Sequence, residues 1–218
     1  MNDSLNILAL DTAFGEISAA VLCNGEPFLS RPNHSDHGKT RSTTIVPILA
    51  DLLAQAGLSW EKLDLLALGA GPGAFTGLRI AAATLAGINS EMKLPILHLS
   101  SLAITARQAI TSEPLWVIED ARAGEAFAGR YAAGQSLSAD RCISWQDVAA
   151  FESSRFVCHN DPAIDMQAWK RLELLIPRSA ALLSEAEQVL SDSVIKQLPV
   201  YPDPVYLQRS QAEKNLHV

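Results

Sequence analysis

The sequence predicts an α/β protein built as two related lobes. Three observations carry that expectation: an antiparallel meander runs into alternating strands and helices, a strand pair hinged on Asp-x-x-x-Gly opens each half, and no low-complexity linker separates the halves. At 218 residues the chain is long enough for one large domain or two lobes of ordinary core size.

Residues 6–11 form a short apolar run suited to a buried strand, and residues 17–22 a second one after the turn Thr12-Ala-Phe-Gly15. A third strand around Phe28 completes the meander. The polar stretch 32–42 leads into a helix over residues 43–56 that Gly57 closes, with Pro47 in about its first turn, where proline is tolerated. Ile45, Val46, Ile48, Leu49, Leu52 and Leu53 cover about 160° of this helix, more than the roughly 100° one core face needs, which predicts a second packed surface.

Residues 63–68 form the next strand, and the loop Gly69-Ala-Gly-Pro-Gly-Ala-Phe-Thr-Gly-Leu-Arg79 enters a helix over 77–90 with no charged side chain between Arg79 and Glu91. Leu78, Ala81, Leu85 and Ile88 share one stripe of it, while Ala82, Ala83, Ala86 and Gly87 cover much of the rest. A helix apolar all round is buried on every side, so either its own domain encloses it or a second subunit completes its cover. A strand at 95–99 and a helix near Ser101 follow, and this alternation requires parallel pairing beside the meander. The second half begins with strands 115–120 and 125–131 around Asp120-Ala-Arg-Ala-Gly124, echoing Asp11 to Gly15. A helix capped by Ser144, a strand at 156–158, a helix over 179–190 and an irregular tail complete the chain. Division after Gln108 gives an N-terminal lobe, 1–108, carrying the two unusual helices, and a C-terminal lobe, 109–218.

Lys plus Arg number 17 against 24 Asp plus Glu, a net charge of -7 that is wrong for holding nucleic acid unaided. Three widely spaced cysteines without a C-x-x-C pair indicate neither a disulfide framework nor a zinc site. With no basic, apolar leader and no run of about 20 apolar residues, the expected location is the cytoplasm and no membrane is expected as a partner. The glycine loop fits neither Walker A nor G-x-G-x-x-G. Two readings of it stand: a tight strand-to-helix turn, or an anion or nucleotide edge made by Gly71, Gly73, Thr76, Gly77 and Arg79 beside Asp11. Asp11 and Asp120 also suit an ATPase or kinase in which paired hairpins grip phosphates, but Thr12 and Ala13 stand where such a site wants glycine, and no glycine follows Gly134 to build a nucleoside clamp. Neither G-x-S-x-G nor H-E-x-x-H occurs, and His34 and His37 lack a third metal ligand nearby. Catalytic residues: none; metal: none expected.

Ile7-Leu-Ala-Leu-Asp-Thr12, Ile45-Val-Pro-Ile-Leu49, Gly71-Pro-Gly-Ala-Phe-Thr-Gly-Leu-Arg79, Ser100-Ser-Leu102, Asp120-Ala-Arg122 with Gly124-Glu125, and Pro204-Val-Tyr-Leu207 resemble the bacterial TsaB (YeaZ) family across nearly the whole chain. That resemblance implies an actin-like ATPase (ribonuclease H-like) fold with a reduced second lobe. It implies a non-catalytic subunit of the machinery that makes threonylcarbamoyladenosine beside the anticodon in tRNAs reading codons that begin with A. Its implied partners are the catalytic subunit TsaD and the ATPase subunit TsaE, with a homodimer when TsaD is absent and tRNA engaged only indirectly. The interface it implies lies on the two N-lobe helices, with Ile45, Ile48, Leu49, Leu52, Ala82, Ala83, Ala86 and Gly87 as candidates. No cofactor is expected on the chain alone; a nucleotide at the subunit interface stays open. The loop 33–42 is longer than the family's, and Gln208 stands where arginine is usual. A stand-alone homodimeric binding module is the remaining alternative.

Overall fold

The computed structural model describes residues 5–31, 41–152, 154–190 and 192–208, apart from the side chains of residues 41, 42, 192 and 193. His34, His37 and the extended part of the loop at 33–40 lie outside the described residues.

The first sheet joins β1 (Ile7–Asp11), β2 (Ser18–Cys23), β3 (Glu26–Leu29), β4 (Leu65–Gly71) and β5 (Ile96–Ser100) in the order β3-β2-β1-β4-β5. β1, β2 and β3 pair antiparallel, whereas β1, β4 and β5 pair parallel. This is the antiparallel meander with parallel strands beside it that the sequence predicts. β1, β2 and β4 are buried throughout, so successive side chains serve two cores. Leu8, Leu10, Val21, Leu66 and Leu68 face the helices α1 (Arg41–Gln55) and α2 (Phe75–Met92). Ile7, Ala9, Ala20, Leu65 and Ala67 point the other way, onto Ala181, Leu182, Leu183 and Ala186 of a helix from the far end of the chain.

The second sheet repeats this plan in shortened form. β6 (Leu115–Arg122) pairs antiparallel with β7 (Glu125–Ala132), and the outer edge of β7 is shared by β8 (Gln135–Ser136) and β9 (Arg141–Ser144). On the other side β10 (Arg155–Val157) and β11 (Lys170–Arg171) add in parallel. Strand order is therefore the same in both sheets, counted from each hairpin. Among the described residues the crossover into β10 carries only α4 (Trp145–Ala149), which Ser144 caps by accepting the Asp147 N–H at 3.1 Å. No helix bridges β10 and β11, where α2 stands in the first lobe. Met166 and Trp169 from that connection cover the outer face instead.

After its last strand each lobe sends a helix to the other. α3 (Ser101–Gln108) follows β5, and its Leu102, Ala103 and Ala106 pack with Val117, Phe127 and Tyr131 of the second sheet. α5 (Arg178–Val189) follows β11 and is the helix lying on the first sheet; a short α6 (Asp192–Ile195) precedes the tail. Small residues on the facing strands, Ala9, Ala20 and Ala67, let α5 approach closely.

Both N-lobe helices begin two residues earlier than their periodicity predicts, so Pro47 sits in the second turn of α1 rather than its first. Gly57 closes the helix as expected, with φ +62° and Leu58 N–H returning to the Leu53 carbonyl at 2.9 Å. Among the described residues no helix is long and apolar enough to cross a membrane, and no group of three His, Cys, Asp or Glu is placed to hold a metal ion.

Candidate functional site

The two Asp hairpins are built alike. Asp11 Oδ1 accepts the Ala13 N–H at 2.7 Å and Asp120 Oδ1 accepts the Arg122 N–H at 3.0 Å, and Gly15 and Gly124 turn the chain at φ +99° and +79°. Their surroundings differ completely. Asp120 is solvent-exposed, whereas Asp11 is fully buried and its Oδ2 receives Arg178 Nη2 at 2.9 Å and Ser101 Oγ at 3.0 Å. Oδ2, engaged in this way by an arginine and a serine, has both acceptor sites filled.

Phe14, at the tip of the first hairpin, fills the space between the lobes. Its ring lies 5.0 Å from the Arg178 guanidinium carbon and stacks on His159 at 5.7 Å between centroids. The His159 ring bridges Glu119 Oε1, 2.6 Å from Nδ1, and Gln108 Oε1, 3.0 Å from Nε2. Arg107 and Glu185 form another largely buried ion pair. Of these residues only Glu119 carried a signal in the sequence: strand parity puts it on the same side as Leu115 and Val117 and so inside. Nothing local marked Arg178, His159 or Gln108.

Three glycines at the end of β4 and in the turn that follows answer to protein neighbours. A Cβ on Gly69 would lie 2.0 Å from Asp11 Oδ2, one on Gly71 (φ +111°) 2.7 Å from the Val205 carbonyl oxygen, and one on Gly73 2.5 Å from the Ala13 Cβ. Val205 N–H donates to the Ala70 carbonyl at 2.7 Å, so the Pro204–Leu207 tail crosses the loop rather than leaving it open. Thr12 Oγ1 donates to the Gly77 carbonyl at 2.7 Å. The tight-turn reading thus accounts for Gly69, Gly71 and Gly73. Thr76 and Arg79 stay exposed, with Arg79 over the Phe75 ring at 5.2 Å and Phe75 against Tyr206 at 5.0 Å. The tail continues to Gln208, whose amide donates to Glu125 Oε2 at 2.7 Å.

Where the tail passes β5, Asp203 N–H donates to His98 Nε2 at 3.0 Å, and burial holds His98 below its ordinary pKa against the opposing pull of Asp203. Beneath it a cavity of about 280 Å³ is lined by Gly71, Pro72, His98, Ser100, Asp140 and Leu207, among others. Asp140 accepts from Ser100 Oγ and Tyr131 Oη, both at 2.5 Å. Burial raises its pKa, with those two hydrogen bonds opposing, and burial together with the Asp140 charge raises that of the Tyr131 hydroxyl. Ser100 also accepts the Leu102 and Ala103 N–H groups as the cap of α3, so this cluster joins β5, α3 and the second lobe.

On the helix pair the structure divides the eight interface candidates. Ile45, Leu49 and Leu52, at 0%, 0% and 2% exposure, belong to the chain's own core, as does Ala82 at 8%, because the inward stripes run 45-49-52-53 on α1 and 78-81-82-85-89 on α2. Ile48 is half-buried. Ala83, Ala86 and Gly87 are exposed, with nothing within 4 Å of a Cβ built on Gly87. Val46, Pro47 and Ala50 of α1 are exposed as well. The outer face of α2 from Ala83 to Ser90 is therefore solvent-facing and uncharged in the lone chain.

A family model described as TsaD, tRNA N6-adenosine threonylcarbamoyltransferase, matches residues 35–165. Among curated proteins the chain is similar to the tRNA threonylcarbamoyladenosine biosynthesis protein TsaB of Haemophilus influenzae, 33% identical over 57% of this chain and 52% of that protein. It is similar also to TsaB of Buchnera aphidicola subsp. Schizaphis graminum, 28% identical over 60% of this chain and 62% of the relative. The chain thus spans between half and two thirds of the length of these relatives. Among solved structures YeaZ from Pseudomonas aeruginosa superposes with a TM-score of 0.74 at 26% identity, covering 93% of this chain and 100% of that one.

Proposed function

Because the chain belongs to the TsaB (YeaZ) family, we propose that it is a non-catalytic scaffold subunit in tRNA threonylcarbamoyladenosine biosynthesis, acting in the cytoplasm by docking on and stabilising the catalytic subunit TsaD. The carrying observation is the exposed, uncharged, small-residue face of α2, Ala83, Ala86 and Gly87, beside exposed Val46, Pro47 and Ala50 of α1. Such a face suits close helix packing, and an interface of about 1,600 Å² would make it a standard specific contact. In this reading residues 1–108 dock the partner, TsaE joins the assembled pair, and the same face closes a homodimer when TsaD is absent. Contact with tRNA runs through the catalytic subunit, in keeping with the net charge of -7.

The competing ATPase or kinase reading needs Asp11 free for a metal-bound water, and Arg178 occupies that carboxylate. Reconstitution tests the proposal: the purified chain is mixed with its cognate TsaD and TsaE, threonylcarbamoyl-adenylate and tRNA. Co-elution with TsaD and a requirement for the chain in adenosine modification are expected. Full modification without it would refute the scaffold role.

A further inference from the structure

We propose that Arg178 is the resident cation of a closed oxygen cage at the first hairpin, its guanidinium locking that hairpin to α3 and α5. The inference is independent of whether the helix pair docks a partner. Nη2 of Arg178 donates to Asp11 Oδ2 and to the Ser101 carbonyl, both at 2.9 Å, and Nη1 donates to Thr105 Oγ1 at 2.7 Å. The acceptors come from the end of β1 and the first two turns of α3, while the cation arrives on the first residue of α5, 167 positions from Asp11. The arginine and the carboxylate are both almost completely buried. Ser101 Oγ and Thr105 Oγ1 are themselves oriented, donating to Asp11 Oδ2 at 3.0 Å and to the Ser101 carbonyl at 3.1 Å. Phe14 closes the cage from the hairpin side with its ring face toward the guanidinium.

The second hairpin serves as an internal control. It forms the same side-chain-to-backbone turn, yet Asp120 stays in solvent and Arg122 beside it is 91% exposed. The turn alone therefore does not require a buried cation; burial of Asp11 does. A carboxylate withdrawn from water persists as an ion only when paired and hydrogen-bonded, and three oxygens from two elements around one site form an acceptor set that a multidentate cation satisfies. Shape selects among cations. A planar fork reaches three acceptors at once, which a single ammonium point charge does less well. Nε of Arg178 is buried without a partner among the described residues, so the head group's contacts, rather than saturation of the whole side chain, set the fit.

The test is chemical rescue in the full-length chain. For Arg178→Ala, leaving Asp11 buried and unpaired is expected to raise the unfolding constant by about a hundredfold or more. Methylguanidinium is expected to lower it by about tenfold when present at ten times its dissociation constant, with no such gain in the wild type and none from tetramethylammonium at equal ionic strength. Equal responses of the two chains, or equal responses to the two salts, would overturn the cage. Where Arg178→Ala does not fold, Arg178→Lys decides: retained charge without the fork is expected to raise the unfolding constant at least about tenfold, and wild-type stability would sink the proposal.

Discussion

Ala86→Arg separates a docking face from a core face in one substitution. Ala86 is exposed on α2, and its neighbour Gly87 has open space where a Cβ would stand. Arginine is nearly as good a helix former as alanine, so the isolated chain should change by no more than about 0.5 kcal/mol, or roughly 2 °C in melting temperature for a chain of this size. In a complex that covers the face, the same guanidinium would lose water without a partner. Trapping an unpaired charge costs about 3–5 kcal/mol, which weakens association by roughly a hundredfold to a few thousandfold. Leu49→Ala is the counterpart: Leu49 is 0% exposed in the core beneath α1, so truncation should cost about 2–5 kcal/mol of folding stability while leaving the outer face intact. Sedimentation titration against the catalytic subunit, together with thermal unfolding of each isolated variant, reads both quantities. Association of Ala86→Arg within threefold of the wild type would refute the reasoning, as would a large loss of its intrinsic stability.

Three further outcomes follow from the geometry. Gly73→Ala should destabilise by about 1–3 kcal/mol in urea titration because its Cβ would sit 2.5 Å from that of Ala13, and a neutral result would remove the tight-turn account. His98 must stay neutral to accept the Asp203 N–H, and burial depresses its folded pKa. Its contribution is therefore complete above the unfolded value of about 6.5 and is lost as pH falls through that value toward the folded one. The wild type should lose more stability between pH 7 and pH 5 than His98→Gln does, and parallel profiles would contradict this. Calorimetric titration of the isolated chain with MgATP should show no saturable binding, since Asp11 is engaged by Arg178; a saturable isotherm would revive the ATPase reading.

The helix missing between β10 and β11 has an energetic side. Where the first sheet carries a helix of 18 residues before its last strand, the second relies on Met166 and Trp169 to cover the corresponding face. Mutual exchange of α3 and α5 between the sheets offsets this, because each lobe's core is completed by the other's helix. Neither core is closed without the other, which ties the two hairpins into one cooperative body.

Local pattern alone determined a great deal here. Apolar runs and their spacing gave β1, β2, β4, β6 and β7, Gly57 and Ser144 marked helix ends, and the repeated Asp-x-x-x-Gly exposed the duplication, because backbone propensity, capping and side-chain parity act over a few residues. The motif Gly71 to Arg79 also carried the family. On α2 the stripe Leu78, Ala81 and Leu85 did face inward, but sequence could not say which part of α1 does: six candidate positions are equivalent until the sheet arrives, and it selects Ile45, Leu49, Leu52 and Leu53 while leaving Val46 outside. Nor could it pair Asp11 with Arg178 or His159 with Glu119, contacts across 167 and 40 residues. Those partners are chosen by burial: once the fold removes a charge from water, whatever counter-charge the returning chain brings within reach is held there, and no short-range periodicity encodes that meeting.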